Sequence, residues 1–197
     1  MGRFYNRDCP KGNRSVHEHL RWEVVFNVLT IYIYIMLYLV AAVSDNNVIG
    51  TQGRLPWHLK RELKWFKMNT HNGAVVMGRK TWDSLPRKPL PSRLNIIITR
   101  GALKEGDEHS IWTHSLSNAI KIAYVHTKRV YIIGGSEIFN LALQQYRCHL
   151  LITRVHCQVN PLNHSCILEL PTKKKLLWRS ETQTEKKMSY HFEFYTT

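Results

Sequence analysis

The chain has 197 residues, of which 44% are hydrophobic, enough apolar material for one well-packed domain; a mainly disordered polymer is excluded. Lys and Arg number 28 against 14 Asp and Glu, so the formal net charge is +14. This imbalance favours anionic partners: nucleic acid, an anionic membrane surface, or phosphorylated and carboxylated small molecules. The four cysteines include no C-x-x-C pair, which argues against a thioredoxin-type redox motif or a zinc ribbon, and four cysteines in a chain of this length do not indicate a disulfide scaffold. We therefore predict reduced thiols, no metal site and a cytoplasmic location.

The first 38 residues differ in composition from the rest. A polar, mixed-charge stretch ends at Glu23, and residues 24–43 are then almost uncharged. Twenty such residues could span a bilayer, but residues 39–43 are also required as a core strand, which leaves about 15 for a span. Residues 1–38 are predicted to be an extension: a surface or disordered appendage, which we favour, a membrane-associated anchor, or a targeting segment such as a mitochondrial one. Residues 39–197 are predicted to form the folded domain.

Strands and helices alternate from residue 39 onward. Short apolar runs predict strands at 39–44, 74–77, 94–99, 130–133 and 150–155. Helical periodicity predicts helices at 59–70, 116–125, with Ser117 as a cap, and 136–143. Two more strands, 176–185 and 190–195, follow with no helix between them. The pattern predicts a single-domain α/β fold with a mostly parallel central sheet, helices on both faces, and an antiparallel C-terminal strand pair.

Glu62 is the only carboxylate in the first predicted helix. At about 100° per residue it falls at the edge of the apolar stripe, next to Phe66 and away from the nearby lysines. One interpretation is a partly exposed Glu that pairs with a basic residue from elsewhere in the fold. The other is a carboxylate held in an apolar cleft, where it binds paired N–H donors of a ligand and its pKa rises towards a value useful for proton transfer.

Two predicted strands end in glycine where a helix begins: one at Gly78, followed by Arg79, Lys80 and Thr81, and one at Gly134 and Gly135. Backbone N–H groups at a helix N-terminus bind phosphate, and glycine lets the phosphate approach the backbone. Two such junctions suit the two ends of a dinucleotide, although each alone is also typical of a tight turn. The chain has no G-x-G-x-x-G sequence, which disfavours an ordinary Rossmann site.

Taken together, these motifs resemble dihydrofolate reductase in order and approximate spacing, from residue 39 to the C-terminus. The motifs are Leu39-Val40-Ala41-Ala42-Val43, Val48-Ile49-Gly50, Leu55-Pro56-Trp57, Glu62-Leu63, Trp65-Phe66, Val76-Met77-Gly78-Arg79, Thr81-Trp82, Ser84-Leu85, Pro89-Leu90, Arg93 and Ile133-Gly134-Gly135-Ser136. The resemblance implies NADPH-dependent reduction of 7,8-dihydrofolate to tetrahydrofolate, by hydride transfer to C6 and protonation at N5. Such an enzyme supports one-carbon metabolism and the synthesis of thymidylate, purines and glycine.

The resemblance also implies a role for individual residues in catalysis and substrate binding. Glu62 binds the 2-amino group and N3 of the pteridine and supports N5 protonation through a water that Trp57 helps to hold; Leu55 completes the catalytic set. Arg93 binds the α-carboxylate of the glutamate tail, and Thr153 donates a hydrogen bond to Glu62. The residues implied to line the folate pocket are Ala42, Leu55, Leu63, Phe66, Ser84, Leu85 and Leu90.

For the cofactor, the resemblance places the nicotinamide near Ala42, Ile49 and Gly50, and it implies that Gly53 also contacts the cofactor. Arg79 and Arg100 favour the 2′-phosphate, hence NADPH over NADH. The remaining residues implied to contact the cofactor are Gly78, Lys80, Thr81, Thr99, Ile133, Gly134, Gly135, Ser136, Glu137, Ile138 and Phe139.

Two departures from the family pattern remain, along with several open alternatives. Residues 156–168 lack the acidic residue and the Phe-Pro pair that steady the mobile loop in the family, so the loop 45–54 is expected to close differently. The extension 1–38 is also atypical. A related reductase acting on another pterin or a pyrimidine, non-specific RNA binding through the basic surface, and membrane tethering stay open; we expect a monomer.

Overall fold

The computed structural model describes residues 36–160 and 165–197. The strands are β1 Met36–Ser44, β2 Val48–Thr51, β3 Ala74–Gly78, β4 Leu94–Ile98, β5 Ser110–Thr113, β6 Arg129–Gly134, β7 His149–Val155, β8 Ser165–Ile167, β9 Lys175–Arg179, β10 Gln183–Glu185 and β11 Met188–Thr196. The helices are α1 Lys60–Thr70, α2 Arg79–Ser84, α3 Leu116–His126 and α4 Ser136–Gln145.

One large twisted sheet organises the described part of the chain. Its strands lie in the order β10-β11-β7-β1-β6-β3-β4-β5, and β9 also pairs with β11. The strands from β7 through β5 pair in parallel, whereas β11 is antiparallel to β7, β9 and β10. Helices cover both faces, as parallel strands require. The predicted fold class is therefore confirmed, including the antiparallel C-terminal addition.

Alternation along β1 separates the two hydrophobic layers. Leu39, Ala41 and Val43 point to the layer that contains buried residues of α3 and α4. Val40 and Ala42 point to the opposite layer, which α1 covers through Trp65. Because successive strand side chains alternate between faces, residues 37–43, the described end of the apolar run that resembled a membrane segment, lie in a strand buried on both sides.

Three predicted boundaries or caps were wrong. Strand β1 begins at Met36, three residues before the predicted start. Ser115 rather than Ser117 caps α3, because its hydroxyl lies in position to accept from the backbone N–H of Asn118 at 3.2 Å. The predicted strand 176–185 is two strands, β9 and β10, since Ser180 leaves the ladder and its hydroxyl accepts from the Phe192 N–H at 3.0 Å.

The short strands β2, β5 and β8 were not predicted. The roles considered for residues 1–35 fall outside the described residues, and the domain boundary at residue 38 stays a prediction. Within residues 36–160 and 165–197, no helix is long and apolar enough to cross a membrane.

Candidate active site

The parallel strands bring most of the predicted site residues to one edge of the sheet. Strands β7, β1, β6, β3 and β4 are neighbours, so their carboxyl ends lie side by side. Thr153 lies near the end of β7 and Ala42 near the end of β1, while glycines end β6 and β3. A crevice outside the carboxyl ends of parallel strands is the usual ligand position in such sheets.

Glu62 lies in the first turn of α1 and is 6% exposed. The Thr153 hydroxyl donates to its Oε1 at 3.5 Å, a long hydrogen bond. Glu62 has no ion pair with any described residue, so the interpretation as a surface Glu with a basic partner does not apply to this part of the chain. Burial raises the pKa of Glu62 from about 4.5 to about 7, and the Thr153 hydrogen bond opposes the rise.

Glu185, and not Glu62, caps the N-terminus of α1. The N-cap residue Leu59 has no side chain that can cap α1. Glu185, the last residue of β10, supplies the cap instead: its Oε1 accepts from Lys60 N at 2.8 Å and its Oε2 from Arg61 N at 3.1 Å. Sequence reasoning missed Glu185, because the contact joins segments more than 120 residues apart.

Trp57 lies just before α1 and is 6% exposed. Its indole Nε1 is buried and has no hydrogen-bond partner among the described residues. A buried donor without a partner is costly, so this N–H fits the predicted role of holding a water beside the carboxylate. Leu55, the third predicted catalytic residue, is 46% exposed, on the loop that leads to Trp57.

The residues predicted to line the folate pocket come from both sides of the crevice. Ala42 lies in β1, and Phe66 and Leu63 in α1, with Leu63 exposed at the rim. On the other side, Ser84 ends α2, and Leu85 and Leu90 belong to the loop that follows it. Leu85, Leu90 and Phe66 pack against one apolar cluster, so the two sides share a common floor.

Arg93 is 7% exposed and is held by two hydrogen bonds. Its Nη1 donates to Thr70 Oγ1 at 2.9 Å and its Nε to the Pro91 carbonyl at 3.1 Å, and its guanidinium lies 5.8 Å from the Phe66 ring centroid. Burial lowers the pKa of Arg93, although an arginine stays charged at neutral pH. The side chain is thus a fixed cation at one end of the crevice.

Two residues that the sequence analysis missed hold Arg93 and its loop. Thr70 is buried at the end of α1, where its hydroxyl bonds the Phe66 carbonyl as well as Arg93. Asn95, fully buried in β4, accepts from Leu90 N at 2.9 Å and donates to the carbonyls of Leu90 and Arg93 at 3.0 and 2.9 Å. An Asn inside an apolar strand run is a sequence signal that could have identified this loop anchor.

The two predicted glycine junctions lie against each other. Met77 of β3 is in register with Gly134 of β6. A Cβ added at Gly134 would lie 3.1 Å from Thr81 Oγ1, and one at Gly135 would lie 3.4 Å from the same atom. The Gly134 φ of +135° also requires glycine. Gly135 is the N-cap of α4, so the N–H groups of Ser136 and Glu137 begin that helix.

These features fit a dinucleotide phosphate better than a tight turn alone. The two glycines let the junction pack closely against Thr81, and the N-terminus of α4, which has no side-chain cap, suits an anion. The other predicted cofactor residues surround it: Ile133, Ile138 and Phe139 flank the junction, and Thr99 follows β4 at 5% exposure. Helix α2 has only six residues, so its dipole is weak, and Gly78 contributes mainly a close contact with Ile138, 3.3 Å from an added Cβ.

The predicted phosphate-binding cations have intrachain partners. Arg79 is ion-paired with Asp83, one turn along α2, and Arg100 with Glu137 at the start of α4. All four side chains are largely exposed, so these pairs are weak and can be exchanged for a phosphate. Lys80 is exposed as well.

The loop after β1 pairs with the segment that departs from the family pattern. Strand β2, which carries Ile49 and Gly50, is antiparallel to β8, with Gly50 opposite Cys166. Gly53 lies in the exposed turn that follows, with φ +75°. The base of the loop is held by the Asp45 N–H, which donates to the Cys157 carbonyl at 3.1 Å. Within the described residues, no cluster of three His, Cys, Asp or Glu side chains could hold a metal ion.

The fold and the site together are those of an enzyme in which a crevice with a buried carboxylate lies beside a glycine junction suited to a dinucleotide. The family model for dihydrofolate reductase matches residues 36–197. A dihydrofolate reductase of Buchnera aphidicola (from Acyrthosiphon pisum) is 37% identical over 79% of this chain and 94% of its own length. One from Candida albicans is 37% identical over 75% of this chain and 81% of its own length. A bifunctional dihydrofolate reductase-thymidylate synthase of Paramecium tetraurelia is 33% identical over 79% of this chain and 33% of its own length.

The chain therefore belongs to the dihydrofolate reductase family of oxidoreductases, which confirms the predicted resemblance. Reduction of dihydrofolate with a nicotinamide cofactor follows from this membership.

Proposed function

We propose that this enzyme reduces 7,8-dihydrofolate to 5,6,7,8-tetrahydrofolate with NADPH, by hydride transfer to C6 and protonation at N5. The observation that carries the proposal is Glu62, a buried carboxylate with a single weak protein partner, at the carboxyl edge of the sheet. Two carboxylate oxygens match the adjacent N–H donors of a 2-amino-4-oxopteridine. Without a ligand to bind it, the desolvation cost of this buried carboxylate would not be offset by any strong interaction.

Glu62 also provides the proton. With a pKa of about 7, its carboxyl group is about half protonated at neutral pH, the range in which general acids work best. The unpartnered Trp57 Nε1 holds the water that connects this proton to N5. Protonated N5 makes C6 a better hydride acceptor, so the buried acid raises the rate of the transfer itself.

Arg93 selects the substrate. A fixed guanidinium at the end of an apolar crevice matches the α-carboxylate of a glutamate tail. Because smaller pterins and pyrimidines lack that group, Arg93 favours dihydrofolate over the substrates of related reductases.

The glycine junctions and α4 suit the cofactor. When bound, NADPH supplies the hydride. The Gly134–Gly135 backbone and the first N–H groups of α4 bind its phosphates, and the exposed cations Arg79, Lys80 and Arg100 favour the additional 2′-phosphate. In this proposal the nicotinamide lies near Ile49, Gly50 and Ala42, as the family resemblance implies.

We further propose a monomeric, cytoplasmic enzyme of one-carbon metabolism, which supplies tetrahydrofolate for thymidylate, purine and glycine synthesis. The +14 charge supports weak, salt-sensitive RNA binding as a secondary property. Fractionation of the full chain against one that starts at Met36 tests both the location and any tethering by the N-terminal segment.

The test of the activity is NADPH oxidation, followed by absorbance, on addition of dihydrofolate to the full chain. We expect turnover by the wild type, a loss of at least about 100-fold in kcat for Glu62→Gln at pH 7, and no change for Glu105→Gln, an exposed control. Folded wild-type protein without turnover would overturn the proposal, and a Glu62→Gln variant as fast as wild type would overturn the role of Glu62.

A further inference from the structure

A chain of four titratable side chains runs along the sheet face opposite Glu62. His156 Nδ1 lies 3.4 Å from Asp45 Oδ1, His156 Nε2 lies 2.9 Å from His191 Nδ1, and His191 Nε2 lies 3.0 Å from Glu193 Oε1. His191 and Glu193 are 7% and 3% exposed. Asp45 and His156 are both 37% exposed, so one end of the chain is buried and the other reaches water.

The buried end fixes a negative charge on Glu193. Burial is the largest single influence and opposes ionisation, but the hydrogen bonds from His191 and Tyr195 together with the charges of Arg154 and His191 outweigh it, and the pKa of Glu193 is lowered. Two arginines add to this: Arg179 Nη2 lies 2.9 Å from Oε1 and Arg154 Nε lies 3.8 Å from Oε2. Glu193 is therefore an acceptor only, and His191 Nε2 must carry a proton.

The remaining protons follow by counting. A neutral histidine has one N–H, and that of His191 is used on Glu193, so its Nδ1 is an acceptor. With His191 neutral, His156 donates from Nε2 to close the 2.9 Å contact. In a neutral His156 the other nitrogen, Nδ1, is bare and faces the Asp45 carboxylate at 3.4 Å, lone pair against lone pair. A proton on Nδ1 turns this repulsion into a charge-assisted contact.

When all three contacts are formed, His156 and His191 together carry three protons on their four ring nitrogens, and the pair has one positive charge. The charged and titratable groups that face it come from the loop after β1, from β7 and the residues that follow it, from β9 and from β11. They are Asp45, Arg154, Cys157, Arg179, Glu193 and Tyr195.

Asp45 is the first residue of the loop that leads to Ile49 and Gly50. Several pH-independent contacts already hold its base. The Asp45 N–H bonds Cys157 O, Arg154 Nη1 donates to the Ser44 carbonyl at 2.8 Å and to Asn47 Oδ1 at 3.2 Å, and the Asn46 side chain pairs with the Val159 backbone at 2.7 and 3.1 Å. The His156 contact adds to these, and it depends on the extra proton.

We propose that His156 and His191 together bind one proton beyond those of two neutral rings, and that with this proton the pair positions the base of the loop 45–54 over the cofactor site. They are positioning residues, since they act through Asp45 and not on substrate; the link to the cofactor rests on the proposed function. The contact is present at low pH and is lost as the pH rises and His156 Nδ1 gives up its proton.

The proton count is tested in the free, full-length protein by 15N NMR of labelled histidine between pH 5.5 and 9. We expect three protonated ring nitrogens across the two histidines at the low end, and His156 losing its Nδ1 proton at lower pH in Asp45→Asn than in wild type. A bare His191 Nε2, or a titration of His156 that Asp45→Asn leaves unchanged, would overturn the count.

The positioning is tested by amide hydrogen exchange at residues 45–47, again without ligand. At each pH, the exchange rate in His156→Gln is divided by the exchange rate in wild type. We expect a ratio of about two to five at pH 6, the size of a half-exposed charge contact, that falls towards one at pH 9. His126→Gln, on an exposed histidine at the end of α3, should give a ratio near one throughout. A ratio for His156→Gln that does not change with pH contradicts the proposal.

The link to the reaction is tested by NADPH affinity over the same pH range. We expect the affinity of wild type to fall about two- to fivefold more than that of His156→Gln between pH 6 and 9. Equal pH dependence in both proteins would overturn the positioning role while leaving the proposed function intact. If NADPH does not bind wild type, the proposed function fails, and the NMR and exchange results still decide the proton count and the loop contact.

Discussion

Replacing Glu62 with Gln should change how the stability of the free protein depends on pH. Burial raises the folded-state pKa of Glu62 to about 7, whereas in the unfolded chain it returns to about 4.5. The folded state therefore binds the proton more tightly than the unfolded chain does. The resulting stability is fully present below pH 4.5 and is lost as the pH rises to 7, at about 1.4 kcal/mol per unit.

Integrated between pH 5 and pH 8, this difference amounts to about 2.5 kcal/mol of unfolding free energy. Glu62 is 6% exposed, so solvent screening does not reduce the value. Because Gln does not titrate, the stability of Glu62→Gln relative to wild type should rise by about that amount over this range.

The assay is urea unfolding of both proteins at pH 5, 6, 7 and 8, with Glu105→Gln as an exposed control that should follow wild type. If the difference in unfolding free energy between Glu62→Gln and wild type stays constant from pH 5 to pH 8, Glu62 titrates as an ordinary surface carboxylate, and the reasoning about its burial is refuted.

Three further substitutions test other parts of the site. Thr153→Val removes the hydrogen bond that lowers the Glu62 pKa, so the pH at which turnover falls should move upward; an unchanged pH–rate profile would count against that contact. Arg93→Lys keeps the positive charge but loses the paired N–H donors of the guanidinium, so KM for dihydrofolate should rise about tenfold or more with a smaller change in kcat. An equal rise in KM for a pterin without the glutamate tail would argue against the carboxylate contact. Gly134→Ala forces a Cβ to 3.1 Å from Thr81 Oγ1 at φ +135°, so NADPH affinity and Tm should both fall, and a calorimetric titration showing wild-type affinity would exclude the cradle.

The sequence predicted the parts of this molecule that depend on local patterning. The apolar runs at 74–77 and 130–133 and the periodicity of 59–70 each indicated an element that the structure contains, because a strand or helix leaves its own spacing in the chain. Glu62 could be identified as unusual for the same reason, since its position on the helix face follows from arithmetic alone.

What the sequence did not predict depends on distant segments. Glu185 caps α1 across more than 120 residues, and β8 pairs with β2 across a gap of similar length. Asp45, His156 and His191 are unremarkable in the chain, and only the register of β7 with β11 brings the two histidines within 2.9 Å. Short strands such as β5 leave too few residues for a period to show.

The central claim is that Glu62 is a buried carboxyl group which titrates near neutrality and faces the bound heterocycle. A 13C NMR titration of the labelled Glu62 carboxyl carbon, in the free full-length protein and with folate bound, tests it most directly. We expect a midpoint near pH 7 in the free protein and a large shift of that signal when folate binds. A midpoint near 4.5 together with a signal that folate does not move would contradict it.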